Sequence, residues 1–208
     1  MTTVLLIRHA EPAEEARGRC YGSLDVPLSR RGHEQAGELS AALAAAPIRA
    51  VYTSPRRRAV DTAGPVASAL GLVAVVEPGL RELDFGTFEG RTYDELAAAE
   101  PELFRQWMES PTAVRFPGGE SYSDLVERAV ACLGTLLERH PVECVAAVSH
   151  GGVVRALLAH CLGVPDERIF RLGQDHAAVS VIRWIDRSPI VELVNGPAAA
   201  AAEAVMSR

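Results

Sequence analysis

Arg8 and His9 follow directly on the apolar run Val4–Ile7, and Ala10, Glu11 and Pro12 come next. A buried strand that ends on two large polar side chains implies a partner for them at its tip. The same juxtaposition recurs later. "ECVAAVSH" ends on His150, immediately before Gly151-Gly152, and Arg58 lies in "SPRRRAVDTA". Glu82 and Asp84 lie in "LRELDFGTFEG". An arginine fork matches phosphate oxygens in geometry and charge. A histidine beside it can take up a phosphoryl group as a nucleophile. A second histidine, when protonated, stabilises charge on the equatorial oxygens. A carboxylic acid can protonate the departing alkoxide and then activate water. Such a set needs no metal, because side chains supply the cations.

For these residues to meet, the chain must bring their strand ends together. "TVLLIRH" (3–9) reads as a buried strand. Ser29 caps a helix to about Ala46, with Ala36, Leu39, Leu43 and Ala46 at helical spacing. "RAVYTS" (49–54) is a short strand. Ser54-Pro55 reads as an N-cap with proline at the first helical position, opening a helix to about Leu70 that Gly71 ends. "LVAVV" (72–76) is a further strand, and residues 77–91 form a loop carrying Glu82 and Asp84. Helical segments cover 92–109, broken near Pro101. "RFPGGES" (115–121) is a turn, and Ser121-x-x-Asp124 resembles a capping box for a helix to about Arg139. Residues 143–150 are a strand and 151–163 a helix closed by Gly163. Residues 177–185 and 189–195 form a hairpin around Asp186-Arg187-Ser188, whose exposed edge could support a homodimer. The Ala-rich tail, 197–208, is expected to be disordered.

Strands alternating with helices predict an α/β fold, a three-layer sandwich with a mostly parallel central sheet and helices on both faces. Ligands bind such sheets at the carboxyl ends of the strands. Arg8, His9, Arg58, His150 and the Glu82 loop then share one edge, with the helix N-terminus at Gly151. Together they make an anion pocket.

Composition narrows the classes. The chain has 208 residues and a net charge of −6, which argues against a general nucleic-acid binder. All 21 basic residues are arginine, so only individual arginine positions carry an argument. No apolar run is long enough to span a bilayer, and no signal peptide is evident. The four cysteines show no C-x-x-C spacing and read as reduced thiols, which places the protein in the cytoplasm. Neither a metal site nor a cofactor is expected.

"LLIRHAEP", "SPRRRAVDTA", "LRELDFGTFEG", "FPGGES" and "VSHGGVVR", in this order, resemble the histidine phosphatase superfamily of phosphoglycerate-mutase-like enzymes. "GRCYGSLDVPLS" (18–29) resembles the branch containing α-ribazole phosphatase. The resemblance implies one catalytic domain over 1–196, acting on a small phosphorylated metabolite. It implies His9 as phosphoryl acceptor, and Arg8, Arg58 and His150 as the rest of the phosphate pocket. Glu82 would be the proton donor and later the base. Spacing alone leaves Glu82 and Asp84 equivalent; the family match favours Glu82. Gly151 would add a backbone phosphate contact, and Tyr21 and Gly22 stand where members contact substrate. Three positions depart from the pattern. Ala10 replaces a glycine, Pro12 a hydroxyl residue, and ungapped counting puts Glu15 where many members carry a phosphate-touching asparagine. A carboxylate there would repel phosphate unless the loop 11–18 is remodelled, with Arg17 or Arg19 substituting.

The leading function is a metal-independent phosphomonoesterase using a phosphohistidine intermediate. A phosphoglycerate mutase uses the same residues. Mutases of the family carry a longer insertion between the acid and the "GGES" turn, whereas Glu82 to Glu120 spans only 38 positions here. A non-catalytic phosphate-binding protein is the third reading, resting on Glu15. His33, His140 and His160 are expected at the surface, and His176 near the leaving-group side or on the surface. Arg56-Arg57 faces either solvent or the outer groups of a substrate. The 101–110 helix reads as a cap over the site, with Cys20 as a packing residue.

Overall fold

The computed structural model describes residues 1–207. In chain order its strands are β1 (Thr2–Arg8), β2 (Ile48–Thr53), β3 (Ala74–Val76), β4 (Cys144–Ser149), β5 (Val179–Ile185) and β6 (Ser188–Gly196). The α-helices are α1 (Arg30–Leu43), α2 (Arg57–Ala69), α3 (Tyr93–Ala99), α4 (Pro101–Glu109), α5 (Tyr122–Arg139), α6 (Gly151–Leu162) and α7 (Ala198–Met206). The strands form one sheet in the order β3-β2-β4-β1-β5-β6. β3, β2, β4 and β1 are parallel, and the β5–β6 hairpin closes one side antiparallel to β1.

β1 explains why its apolar run does not alternate with polar residues. Val4 and Leu6 pack against α5 and α6 on one face, while Leu5 and Ile7 pack against α1, α2 and α7 on the other. A strand covered on both faces needs apolar residues at every position. A smaller cluster of Cys20, Phe88, Leu96, Val114 and Phe116 lies beneath α3 and α4. These two helices roof the carboxyl end of the sheet.

Two caps form as the sequence predicts. Ser29 Oγ accepts the Gly32 N–H at 2.9 Å, and Ser121 and Asp124 complete their reciprocal capping box. A third capping box joins Thr92 and Glu95. Elsewhere the structure differs from expectation. β3 is only three residues long. α2 begins at Arg57 rather than after Ser54. Its Arg57 N–H is taken by Asp25 Oδ1 at 2.6 Å, which frees the Ser54 hydroxyl for another partner. In place of a disordered tail, residues 198–206 form α7, with Ala201, Ala202 and Val205 buried. Alanine is the strongest helix former, and its small side chain lets the helix lie close to β5, β6 and α1. Arg208 lies outside the described residues. Among those residues no helix is long and apolar enough to cross a membrane.

Candidate active site

Strand register builds the site. Arg8 pairs with Ser149, and Thr53 with Val148. The next residues of the three strands, His9, His150 and Ser54, therefore leave the sheet side by side. The His9 and His150 ring centroids are 5.1 Å apart.

His9 is 2% exposed. Its Nδ1 lies 2.7 Å from the Ala10 carbonyl. A carbonyl only accepts, so Nδ1 carries the proton and Nε2 the lone pair. Burial, then the charges of Arg58 and Arg8, hold His9 well below the usual histidine range.

His150 is fully buried, with Nε2 2.7 Å from Ser54 Oγ. That hydroxyl also accepts the Arg56 N–H at 3.3 Å. With the Ser54 proton directed to Nε2, the ring's own N–H sits on Nδ1, which is buried and unpartnered. Burial, then Arg58 and His9, lower His150 well below the usual range.

Arg58 is also fully buried and crosses the floor of the site. It donates to the carbonyls of Leu24 at 2.8 Å and Gly22 at 3.0 Å, and its guanidinium carbon lies 5.0 Å from the Tyr21 ring centroid. Arg8 donates to the Gln174 carbonyl, and through Nη2 to His176 Nε2 at 2.9 Å. Arginine has no acceptor, so this His176 nitrogen is unprotonated. Burial, then the Arg8 charge, push His176 down to about 4. Arg8 Nε and Arg58 Nε, like His150 Nδ1, are buried without partners. Buried donors in native proteins are normally satisfied. Two orphan guanidinium donors, with the unpartnered His150 nitrogen beside them, suit a multi-oxygen anion such as phosphate.

Glu82 enters from the opposite side. Its Oε2 accepts the Gly152 N–H at 3.0 Å and its Oε1 the Leu83 N–H at 2.9 Å. Arg128 pins the segment from behind, donating to the carbonyls of Gly79, Arg81 and Glu82 and to both Glu120 oxygens. Asp84 turns away to cap the Gly86 N–H at 2.9 Å. Geometry thus separates the two carboxylates that spacing left equivalent. Arg8, His9, Tyr21, Gly22, Glu82, Gly151 and Gly152 line one cleft of about 240 Å³, walled by Phe85, Tyr93 and Trp107. That is below the range of about 300–1,000 Å³ usual for ligand pockets, so a compact ligand fits it best.

The sequence matches the histidine phosphatase superfamily (branch 1) over residues 4–197. The chain belongs to this superfamily. It is 35% identical over 195 residues to Phosphoserine phosphatase 1 of Hydrogenobacter thermophilus, covering 94% of this chain and 92% of that one. Among solved structures, Bacillus stearothermophilus YhfR matches with a TM-score of 0.89 and 29% identity, over 95% of this chain and 98% of that one. The α-ribazole phosphatase of Shigella flexneri matches with a TM-score of 0.85 and 28% identity, over 93% and 96%. The chain is a phosphomonoesterase of the histidine-phosphatase type.

Within the superfamily framework, the remaining candidates separate clearly. Glu15 lies on a 3-10 turn, Glu14–Ala16, that carries it to the surface and away from the cleft lining. Arg17 is exposed beside Glu14, whereas Arg19 reaches the cleft wall while donating to the Gly90 carbonyl. Arg57 faces solvent with Asp61, and Arg56 lies close enough for its charge to lower His150. His33 and His160 are exposed. His140 is half-buried between Tyr52 and Glu143. Cys20 is a packing residue, its thiol pushed up to about 12 by burial and then by Glu89.

The residues sequence reasoning missed are Ser54, Gln174, Arg128 and Arg155. Only Arg155 left a readable signal. It falls one helical turn after Gly151, on the face that meets the cleft.

Proposed function

We propose that the protein hydrolyses small phosphomonoesters through a phosphohistidine on His9, without a metal. The observation that carries this is the Nδ1–H bond of His9 to Ala10, which leaves Nε2 unprotonated beside two guanidiniums. Arg8, Arg58 and His150 hold the phosphoryl oxygens through their unpartnered donors. His9 Nε2 attacks phosphorus, the P–O bond to the leaving alcohol breaks, and protonated Glu82 supplies the alkoxide with its proton. The Glu82 carboxylate then takes a proton from water as that water attacks phosphohistidine. The P–N bond breaks, releasing inorganic phosphate and restoring His9. His150, lowered in the empty pocket by burial and neighbouring cations, gains a proton more readily once a dianion offsets those charges.

The narrow cleft favours metabolites over nucleic acid, and L-phosphoserine is the first substrate to try, given the Hydrogenobacter relative. The test is hydrolysis of an aryl phosphate in excess chelator by the wild type and His9→Ala, with capture of the phosphoenzyme after quenching in alkaline detergent. The expected result is chelator-resistant turnover and a base-stable, acid-labile phosphoenzyme, both absent in His9→Ala. Activity persisting in His9→Ala would overturn the reading.

A further inference from the structure

The cleft extends beyond the phosphate donors, and Arg155 stands in that extension. Its Nε donates to the Leu172 carbonyl at 3.0 Å, and its guanidinium carbon lies 5.4 Å from the Phe170 ring centroid. These contacts hold the head in place without an ion pair to any acidic side chain among the described residues. The position a Cβ would take on Gly151 lies 3.2 Å from Arg155 Nη1 and 3.5 Å from Arg8 Nε. The two guanidiniums therefore flank one glycine.

Two like charges held this close repel. Burial, and then the Arg8 charge, disfavour the Arg155 cation, while Glu82 and Tyr122 act in its favour. Glu82 already receives two backbone N–H groups. Of the other cleft-lining cations, Arg8 is tied to Gln174 and His176, and Arg19 is spent on Gly90 and Glu95. Arg155 is thus a fixed, half-buried cation beside the phosphate pocket. The same cleft also has apolar lining from Leu83, Phe85, Trp107, Leu125 and Ile169. A guanidinium in such a wall matches a carboxylate in a two-point geometry.

We propose that Arg155 binds a carboxylate on the leaving alcohol, so that the preferred substrates are small phosphomonoesters carrying a carboxylate a few bonds from the ester oxygen. The proposal rests on the phosphatase reading above and adds the substrate class to it. The short span across Gly151 keeps the two anionic groups close, and the cleft volume limits the body joining them.

The experiment compares kcat/KM for two matched pairs: L-phosphoserine against phosphoethanolamine, and 3-phosphoglycerate against glycerol 3-phosphate. It uses the wild type, Arg155→Gln and Arg155→Lys, with inorganic phosphate as competitive inhibitor. The wild type is expected to prefer the carboxylate-bearing member of each pair at least tenfold. In Arg155→Gln that ratio should fall by tenfold or more, with Arg155→Lys in between. A wild type without the preference overturns the proposal, and needs no variant to fold. A ratio unchanged within threefold in Arg155→Gln also overturns it. If that result came with weaker inhibition by inorganic phosphate, Arg155 would be a phosphate ligand instead. Wild-type failure on all four esters and on an aryl phosphate would instead remove the phosphatase reading itself.

Discussion

Glu82 and Gly152 meet where a loop crosses the first turn of α6, the carboxylate accepting the glycine N–H at 3.0 Å. A Cβ at residue 152 would run into that carboxylate. Gly152→Ala should therefore displace the acid while leaving His9 and the phosphate donors in place. We expect kcat/KM, which reports phosphoryl transfer to His9 and not the later hydrolysis, to fall about 100-fold for alkyl phosphates, whose leaving groups need a proton. The loss should be much smaller for 4-nitrophenyl phosphate, whose leaving group does not. Equal losses on both esters would mean that Glu82 is not the proton donor.

Arg8 donates to His176, which lies outside the cleft lining, and the His176 imidazole lies 5.5 Å from that of His9. His176→Ala removes one of the two partners of the Arg8 guanidinium, leaving the Gln174 carbonyl. The inhibition constant for inorganic phosphate should rise about fivefold, in keeping with one charge-assisted hydrogen bond. His176→Gln should restore part of it, because its side-chain carbonyl can accept from Arg8. Titration of phosphate inhibition in the two variants checks this, and identical constants in wild type and His176→Ala would rule it out.

Acid should weaken the empty enzyme over a defined window. His9, His150 and His176 all lie below the unfolded value of 6.5, mainly through burial, with His176 at about 4. Between the folded and unfolded values the unfolded chain binds more protons, so stability rises with pH there. It is fully retained above about 6.5 and lost as pH falls toward about 4. Melting temperature measured from pH 7.5 to 4.5 in a phosphate-free buffer should drop throughout the acidic half of that range. A flat profile would contradict burial of neutral imidazoles.

Arg128 has a side chain only 13% exposed and links the Glu82 segment to Glu120. Arg128→Met leaves three carbonyls and a half-buried carboxylate short of a partner. The expected destabilisation is about 3 kcal/mol, the scale of breaking a buried ion pair from one side. Urea denaturation of Arg128→Met against wild type measures it, and a loss below about 1 kcal/mol would show that solvent replaces the arginine.

Removing residues 197–208 strips α7 from β5, β6 and α1. Burial of Ala201, Ala202 and Val205 suggests a loss of about 3 kcal/mol. The truncated protein should melt earlier yet keep its phosphoryl chemistry, since no cleft residue belongs to α7. An unchanged melting temperature would mean the helix contributes nothing to the fold.

Much of the site was legible in the sequence because it sits at strand ends, where polar residues interrupt apolar runs. Arg8-His9 and His150 each break such a run, and a parallel sheet gathers those ends automatically. Ser54 was misread because a serine before proline has the local signature of a cap. Only the register of β2 on β4 reveals that it lands beside His150. Glu15 could not be placed by counting, because only the folded loop shows it exposed on a 3-10 turn and outside the cleft lining. Arg128 is invisible in the same way: besides Glu120, its partners are backbone carbonyls some 46 to 49 positions away, which leave no side-chain pattern.

β1 lies between β4 and β5. The strand that leads into His9 is thus made before the other strands of the sheet, while both of its neighbours come from the last third of the sequence. Until they emerge, Val4–Ile7 is an unpaired apolar segment of the kind that invites aggregation and chaperone capture. Closing the sheet requires contacts between distant parts of the sequence, which slows folding. No nascent fragment that stops before β5 can hold His9 between both neighbours, so the active site is among the last features of the molecule to form.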